Sequence, residues 1–242
     1  GGAGADILEG GAGNDQIIGG DGADVIHGGS GDDHFDGGVG NDFIDGGVGI
    51  DEVDYSLDSA GVEVDLRAGM ALDGFGGQDT LTQVENVSGS QFDDHIIGDG
   101  LDNVLSGNSG SDGLTGGFGN DVLIGGAGND FIDGGAGTDE VDYSFDSGRV
   151  AVNLAAGVAI DGVGATDVIA NVENVSGSQF DDQIIGDGGA NVLSGDLGND
   201  LIDGGSGDDT LDGGGGDDRV LGSLGDDHIS GGTGNDQVSG GA

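Results

Sequence analysis

The feature that most constrains the fold is a nine-residue unit, Gly-Gly-x-Gly-x-Asp-x-U-x with U apolar, which occurs nineteen times. The copies form three blocks, 1–54, 89–142 and 177–239. Position 1 is Gly in every copy, position 6 is Asp in seventeen and Asn in two, and position 8 is always Ile, Leu, Val or Phe. A fixed short period of this kind is typical of a solenoid, in which each repeat stacks on its neighbours.

The two halves of the unit predict different local structures. Glycines at positions 1, 2 and 4 permit positive φ angles and tight curvature, so the first six residues predict a turn. The last three predict a short strand with one inward side chain. One unit then makes half a coil, and inward residues such as Leu8 and Ile26 stack as a thin apolar core. We therefore predict an all-β solenoid.

The aspartates at position 6, called ladder residues below, predict metal sites. Units n and n+2 would lie on the same edge of the solenoid, about 4.8 Å apart, so that Asp6 stacks on Asp24. Carboxylates this close repel each other strongly in a low dielectric, and a divalent cation between them removes the conflict. Oxygen-only ligands, six or more in a flexible loop, favour calcium over zinc or magnesium. The candidate ligands are Asp6, Asp15, Asp24, Asp33, Asp42, Asp51, Asp94, Asp112, Asp121, Asp130, Asp139, Asp182, Asp200, Asp209, Asp218, Asp227 and Asp236.

These units resemble the RTX, or haemolysin-type calcium-binding, nonapeptide repeat, and they cover most of the chain. The resemblance implies a parallel β-roll, which is a right-handed β-solenoid. The resemblance implies that one turn binds calcium through its ladder Asp and the carbonyls of positions 2 and 4. The turn eighteen residues later contributes its own ladder Asp and the carbonyls of positions 1 and 3. The carbonyl ligands that this implies are Gly2 and Gly4 with Gly19 and Asp21, Gly11 and Gly13 with Gly28 and Ser30, Gly20 and Gly22 with Gly37 and Val39, Gly29 and Gly31 with Gly46 and Val48, Gly117 and Gly119 with Gly134 and Ala136, and Gly205 and Gly207 with Gly222 and Leu224.

Two matching segments, 55–88 and 143–176, separate the blocks and are called the inserts below. Each contains an alternating apolar stretch that predicts a strand. Each also contains a degenerate unit, with Asp79 or Asp167 at position 6, and these two residues are further candidate calcium ligands. Because long structureless loops are uncommon, we predict wider coils within one continuous roll over 1–242. The alternative is a pair of flexible linkers between three separate rolls.

The repeats that follow each insert depart from the consensus. Asn103 and Asn191 replace the ladder Asp, and a neutral amide still offers one oxygen but no charge. We expect the sites there to be weak or empty. Phe92 and Phe180 stand where position 4 is normally Gly, and we expect them to cover the join between wide and narrow coils.

Two further features have competing interpretations. Tyr55 and Tyr143 open the inserts at matching places, and we expect them to pack in the core rather than to form a sugar-stacking platform. Acid pairs such as Asp32 and Asp33 could suggest glycosidase chemistry, which needs two carboxyls across a cleft. In each pair, however, the second acid is a ladder residue and the first occupies a variable position. No motif of a hydrolase, metalloprotease or nucleotide-binding loop is present, so we expect no enzyme activity.

Composition limits the possible partners. The formal net charge is −45, from 48 acidic and three basic residues, a balance similar to that of disordered chains. We expect the chain without cations to be largely unfolded, so that the free energy of metal binding becomes free energy of folding. Such acidity argues against nucleic-acid binding, which needs a basic surface. No apolar run approaches the length of about 18 residues needed for a membrane span.

The RTX resemblance implies a function as well as a fold. It implies a bacterial protein exported by type I secretion machinery and either secreted or held at the cell surface, with the chain unfolded in low cytosolic calcium and folded by extracellular calcium. The stacked aspartates would hold roughly 8 to 13 calcium ions. The alternative is a glycan-binding or spacer module of a polysaccharide-active enzyme or adhesin, with polysaccharide as the partner.

Overall fold

The computed structural model describes all residues from 1 to 242, and the chain forms two compact units, 1–121 and 122–242. Regular structure is β except for one short 3-10 helix, Leu154–Ala156. The strands of unit 1 are β1 Gly2–Ala3, β2 Ile7–Ala12, β3 Gln16–Asp21, β4 Val25–Ser30, β5 His34–Val39, β6 Phe43–Val48, β7 Glu52–Asp54, β8 Glu63–Asp65, β9 Met70–Leu72, β10 Gln78–Thr82, β11 Asn86–Ser88, β12 His95–Ile97, β13 Val104–Ser106 and β14 Gly113–Phe118.

Unit 2 also has repeat strands on both sides of an insert. Its strands are β15 Val122–Ile124, β16 Phe131–Ala136, β17 Glu140–Asp142, β18 Ala151–Asn153, β19 Val158–Ile160, β20 Thr166–Ala170, β21 Asn174–Ser176, β22 Gln183–Ile185, β23 Val192–Ser194, β24 Leu201–Asp203, β25 Thr210–Asp212, β26 Arg219–Leu221, β27 His228–Ser230 and β28 Gln237–Ser239. The prediction of an all-β fold is confirmed.

Each unit contains two sheets, and the repeat strands alternate between them along the chain. The first sheet of unit 1 has the order β1-β3-β5-β7-β11-β13, and the second has the order β2-β4-β6-β10-β9-β8-β12-β14. Repeat strands pair in parallel with strands eighteen residues away, so that Ile26 lies between Leu8 and Ile44. Two consecutive nine-residue repeats therefore close one coil, and the predicted parallel β-solenoid is confirmed.

The core consists of the apolar residues at position 8. Ile26, Phe35 and Ile44 have no exposed surface, because each lies between a preceding and a following coil. Leu8 is only half-buried, and Val238 is 50% exposed, since each has a neighbouring coil on one side only. One inward side chain per strand thus suffices for a narrow core, but only where coils are stacked on both sides.

The inserts are built into both sheets of their own unit, as the wider-coil prediction requires. In unit 1, β10 pairs in parallel with β6, β8 pairs in parallel with β12, and β11 lies between β7 and β13. The alternative of flexible linkers is therefore wrong for both inserts, since unit 2 repeats the order as β16-β20-β19-β18-β22. One continuous roll over 1–242 stays a prediction.

The inserts also contain an arrangement that the sequence pattern did not predict. Strands β8, β9 and β10 form an antiparallel meander, so the chain first reaches the following coil and then returns to the preceding one. Two tight turns make these reversals, with positive φ at Gly69 (62°) and Gly76 (93°). The second turn is closed by Asp73, whose Oδ1 accepts a hydrogen bond from the Phe75 amide at 2.9 Å. The local turns thus permit the reversed strand order, and the pairing of β8 with β12 and of β10 with β6 fixes it.

Candidate metal centre

One oxygen of each ladder carboxylate is used to join successive coils. The Asp6 amide donates to Asp24 Oδ1 at 2.7 Å, and the Asp24 amide donates to Asp42 Oδ1 at 2.8 Å. The same bond, from a ladder amide to the ladder oxygen eighteen residues later, recurs in unit 2 between Asp200 and Asp218 at 2.8 Å. Each carboxylate is therefore held in one orientation, with its Oδ2 directed away from this bond.

The second carboxylate oxygen, Oδ2, is the atom that indicates a cation site. On many ladder residues Oδ2 is buried and has no hydrogen-bond partner, although the side chains carry a formal charge. These residues are Asp15, Asp24, Asp33, Asp42 and Asp51 in unit 1 and Asp200, Asp209, Asp218 and Asp227 in unit 2. A buried ionised oxygen without a donor is costly, and such atoms are rare in folded proteins unless an ion or water satisfies them. The observation fits a cation at each of these positions.

Carbonyl oxygens of the following turn face the same space. A Cβ atom on Gly10 would lie 2.6 Å from Gly28 O and 2.8 Å from Asp15 Oδ2. A Cβ on Gly213 would likewise lie 2.6 Å from Asp218 Oδ2 and 2.7 Å from the carbonyl oxygen of residue 231. A ladder carboxylate and the position 1 carbonyl of the turn eighteen residues later thus converge, as the RTX resemblance implies. Their approach leaves no room for a side chain, which explains the invariant Gly at position 1.

Backbone oxygens are essential to such a site. Nowhere do three or more His, Cys, Asp or Glu side chains form a group that could hold a metal ion by themselves. Calcium is the biological divalent cation that accepts many carbonyl ligands in flexible geometry. The turn conformation supplies those carbonyls, with φ of 106° at Gly20 and 145° at Gly22. The donor set of these turns therefore fits calcium.

Five of the six predicted ligand sets lie within a single unit. Four are in unit 1, beginning at Gly2, Gly11, Gly20 and Gly29, and one is in unit 2, beginning at Gly205. The sixth set, with Gly117 and Gly119 in unit 1 and Gly134 and Ala136 in unit 2, remains a prediction. The exact ligands of every set also remain predictions, because the structure shows only that the two turns of a set lie next to each other.

Burial makes several ladder carboxylates resist ionisation in the absence of a cation. Desolvation by burial, together with the neighbouring charge of Asp24, raises the pKa of Asp42 from its usual 3.8 to about 6. Desolvation likewise raises the pKa of Asp200 to about 7, with Asp182 and Asp218 as repelling neighbours. A bound cation would reverse this effect, because it favours the charged form of each carboxylate.

Sequence reasoning missed two ladder residues. The Asp51 amide donates to Glu85 Oε2 at 2.9 Å, and the Asp139 amide donates to Glu173 Oε2 at 2.9 Å. Both glutamates therefore take the ladder position in their insert. A signal was present, because Glu85 precedes the buried Val87 with the same spacing that separates a ladder Asp from the apolar residue at position 8.

Position 5, which is variable in sequence, has a structural role that the sequence pattern did not predict. The Asp32 amide donates to Asn14 Oδ1 at 3.0 Å, and the Ile50 amide donates to Asp32 Oδ1 at 3.1 Å. In unit 2 the Asp217 amide donates to Asn199 Oδ1 at 2.9 Å. Asn or Asp at position 5 thus forms a second ladder on the exposed edge, in which each side chain holds the turn of the next coil.

The degenerate units place their acids in the ladder, but with a different partner. Asp79 Oδ1 accepts a hydrogen bond from the Asp42 amide at 2.9 Å, as an ordinary ladder residue would. Its Oδ2 accepts from the Tyr55 hydroxyl at 3.1 Å, and Asp167 Oδ2 accepts from the Tyr143 hydroxyl at 3.0 Å. Both tyrosines are almost fully buried. Core packing is therefore confirmed for them, and the sugar-stacking alternative is wrong.

The phenylalanines at position 4 are about half-buried. Phe92 is 47% exposed and Phe180 is 45% exposed, and the expectation that they cover the join between wide and narrow coils stays a prediction. Their backbone is the better packed part, since Gly110 and Gly198 lie against the carbonyl groups of Phe92 and Phe180 respectively. A side chain is accepted at this place because the turn has a different conformation there.

Comparison with known proteins agrees with this geometry. A family model described as the RTX calcium-binding nonapeptide repeat (4 copies) matches more than half of the chain. The matched residues are 1–34, 18–53, 88–123, 106–141, 115–148, 176–211 and 212–242. No curated protein matches the chain at a significant level. No helix in the structure has the length and apolar content needed to cross a membrane.

Proposed function

This chain belongs to the family of RTX calcium-binding nonapeptide-repeat proteins, and we propose that it is a secreted module that folds when extracellular calcium fills its ladder. In this proposal, type I secretion machinery exports the chain unfolded from a bacterial cytosol low in calcium. The module binds ions and performs no catalysis. The observation that carries the proposal is the set of buried ladder Oδ2 atoms without a hydrogen-bond donor.

Electrostatics explains why folding would depend on calcium. With a formal net charge of −45, compaction brings carboxylates together and removes water from those in the ladder. The chain offers only three basic residues as counter-charges, so bound cations are the main means of neutralisation at neutral pH. Because the unfolded chain has no preformed sites, the free energy of binding stabilises the folded state directly.

The expected affinity matches the difference between cytosol and exterior. Extracellular calcium modules bind with dissociation constants of about 10⁻⁴ to 10⁻³ M, whereas free cytosolic calcium is far lower. Roughly 8 to 13 weak sites, each lying between coils that are stable only beside their neighbours, would fill cooperatively. A steep transition from unfolded to folded chain is therefore expected over a narrow range of calcium concentration.

A calcium titration of the whole chain, followed by far-UV circular dichroism with magnesium in parallel, tests this proposal. We expect a sharp transition from coil to β signal near millimolar calcium. Magnesium should not reproduce it, since its strict octahedral geometry does not suit these turns. The same β signal in chelator as in calcium would contradict the proposal.

A glycan-binding role is a second candidate, supported by the outer face of unit 2. Phe131, Val168 and Val158 lie side by side on adjacent strands of the meander region. They are 48%, 49% and 41% exposed, and such an aromatic and aliphatic row could contact the apolar face of a polysaccharide. Calcium-dependent retention on a glycan array, lost in a Phe131→Ser variant, would support this role. Retention by no glycan would leave the folding role alone.

A further inference from the structure

The turns of this solenoid are of two kinds, which differ in the backbone at position 2. In all but four of the repeat units, position 2 has a positive φ, whatever residue stands there. Asn108, Asp196 and Ser223 occupy position 2 with φ of 68°, 66° and 71°, although such angles are unfavourable for residues other than Gly. We call these open turns. The strain that three of them accept shows how strongly the open conformation is required.

The two turns that follow the insert of unit 1 are different, and we call them closed turns. Neither Ser90 nor Asp99, at position 2, has a positive φ. The Ser90 amide donates to Asp94 Oδ2 at 2.6 Å, while its hydroxyl donates to Asp94 Oδ1 at 2.7 Å. The Asp99 amide donates to Asn103 Oδ1 at 2.8 Å. In a closed turn, the position 2 amide therefore donates a hydrogen bond to the ladder oxygen that has no hydrogen-bond donor in an open turn.

Unit 2 repeats the closed turns at the equivalent places. The Ser178 amide donates to Asp182 Oδ2 at 2.6 Å. The Asp187 amide donates to Asn191 Oδ1 at 2.9 Å. Neither Ser178 nor Asp187 has a positive φ, so the same backbone conformation accompanies the same hydrogen bond in both units.

The asparagine in the second closed turn of each unit also supplies the contact that an ion would otherwise make. Asn103 Nδ2 donates to Glu85 O at 2.7 Å, and Asn191 Nδ2 donates to Glu173 O at 2.7 Å. A carbonyl oxygen that would otherwise need a cation or water thus receives an N–H donor. Both ends of the amide are satisfied by the chain, and no charge remains to be neutralised.

We propose that three ladder positions around each insert hold no calcium, because the chain's own donors occupy the oxygens that an ion would bind elsewhere. The positions are Asp79, Asp94 and Asn103 in unit 1 and Asp167, Asp182 and Asn191 in unit 2. At Asp79 and Asp167 the donor is a buried tyrosine hydroxyl. Each insert is then an ion-free joint beside calcium-filled coils. This inference rests on the proposed calcium function and assigns where in the ladder the ions bind.

A matched pair of substitutions in the full chain tests the assignment. Asp33→Asn removes the charge of an open-turn ladder residue that is 2% exposed, and Asp94→Asn removes that of a closed-turn residue that is 5% exposed. Bound calcium per chain is measured by equilibrium dialysis at saturating calcium. We expect Asp33→Asn to lose about one or two ions and Asp94→Asn to lose none. The natural Asn103 in the next closed turn indicates that the fold accepts an amide there.

Equal losses of calcium in the two variants would overturn the assignment. A wild-type chain that binds no calcium would instead contradict the proposed function, so the two failures are distinguishable. Tyr55→Phe supplies a second test that does not depend on the Asp94 variant. It keeps the ring in the core but removes the donor to Asp79 Oδ2, so we expect folding to require more calcium. An unchanged midpoint in the calcium titration would also count against the assignment.

Discussion

The open coils between Gly19 and Asp54 and the joint around the first insert share one pattern of ladder acids and inward apolar residues. They differ in what satisfies the ladder. In the open coils one oxygen of each ladder carboxylate is buried and accepts no hydrogen bond. In the joint, an amide or a hydroxyl of the chain donates to the corresponding oxygen. The comparison teaches that the Asp-x-U spacing specifies a coil, while, in the assignment proposed above, the turn conformation specifies whether that coil needs an ion.

Removal of calcium with a chelator should produce the largest difference in amide protection between the open coils and the joint. Removing calcium leaves the ladder carboxylates of the open coils uncompensated, so we expect nearly complete loss of amide protection there. The joint keeps its internal donors and should lose less. Hydrogen exchange with mass spectrometry, on the full chain in calcium and in chelator, measures both regions at once. Equal loss of protection in both would break the comparison.

Acidification should partly replace calcium in the open coils. The folded metal-free state raises the pKa of Asp42 to about 6 and that of Asp200 to about 7, above the usual 3.8. Their contribution to stability is therefore complete below about pH 4 and is lost as the pH rises through 6 to 7. In chelator, we expect lowering the pH from neutral to about 4 to increase the β signal.

The opposite dependence is expected when calcium is present, since protons compete with calcium for the same carboxylates. Circular dichroism across this pH range, with and without calcium, measures both effects in one chain. A β signal in chelator that falls on acidification would contradict the burial of the ladder carboxylates.

Added methyl groups should distinguish Gly10, at the crowded position 1 of its turn, from Gly100, at position 3 of another turn. A Cβ on Gly10 would lie 2.6 Å from Gly28 O and 2.8 Å from Asp15 Oδ2, whereas a Cβ on Gly100 would meet nothing within 4 Å. We expect Gly10→Ala to destabilise the calcium-bound fold by about 1–3 kcal/mol, as overpacking does, and to raise the calcium midpoint. Gly100→Ala is the matched control, and a comparable shift in that variant would refute the argument.

The smallest effect is expected for the exposed ladder at position 5. Asn199→Ala removes two side-chain hydrogen bonds, because Asn199 Oδ1 accepts from the Asp217 amide at 2.9 Å and Nδ2 donates to Asp181 Oδ1 at 2.9 Å. Each hydrogen bond of this kind contributes about 0.5–1.5 kcal/mol, and the exposed position should keep each loss near the lower limit. Thermal unfolding in calcium measures the change, and bound calcium should stay constant. A loss of ions would mean that position 5 belongs to the metal site.

Much of the regular part was predictable from the pattern of residues. The inward residues, the stacked aspartates and the place of Asp79 in the ladder all follow from the nine-residue frame, because Ile26, Asp24 and their counterparts recur at a constant spacing. The same frame would have identified Glu85, had the spacing from acid to apolar residue been followed through the insert. The structural role of position 5 was not predicted, because it is visible only when the Asn14 side chain lies beside the Asp32 amide of the next coil.

The sequence by itself determined the family, the coil length and the existence of a carboxylate ladder, because glycine conformation and period are local properties. Only the tertiary structure decided the reversed strand order of the inserts and the division of the turns into open and closed. Tyr55 meets Asp79 across 24 residues, and Asn103 meets Glu85 across 18. Such partners are specified by which strands pair and how their turns face one another. Those arrangements arise from packing of whole coils, which no short motif encodes.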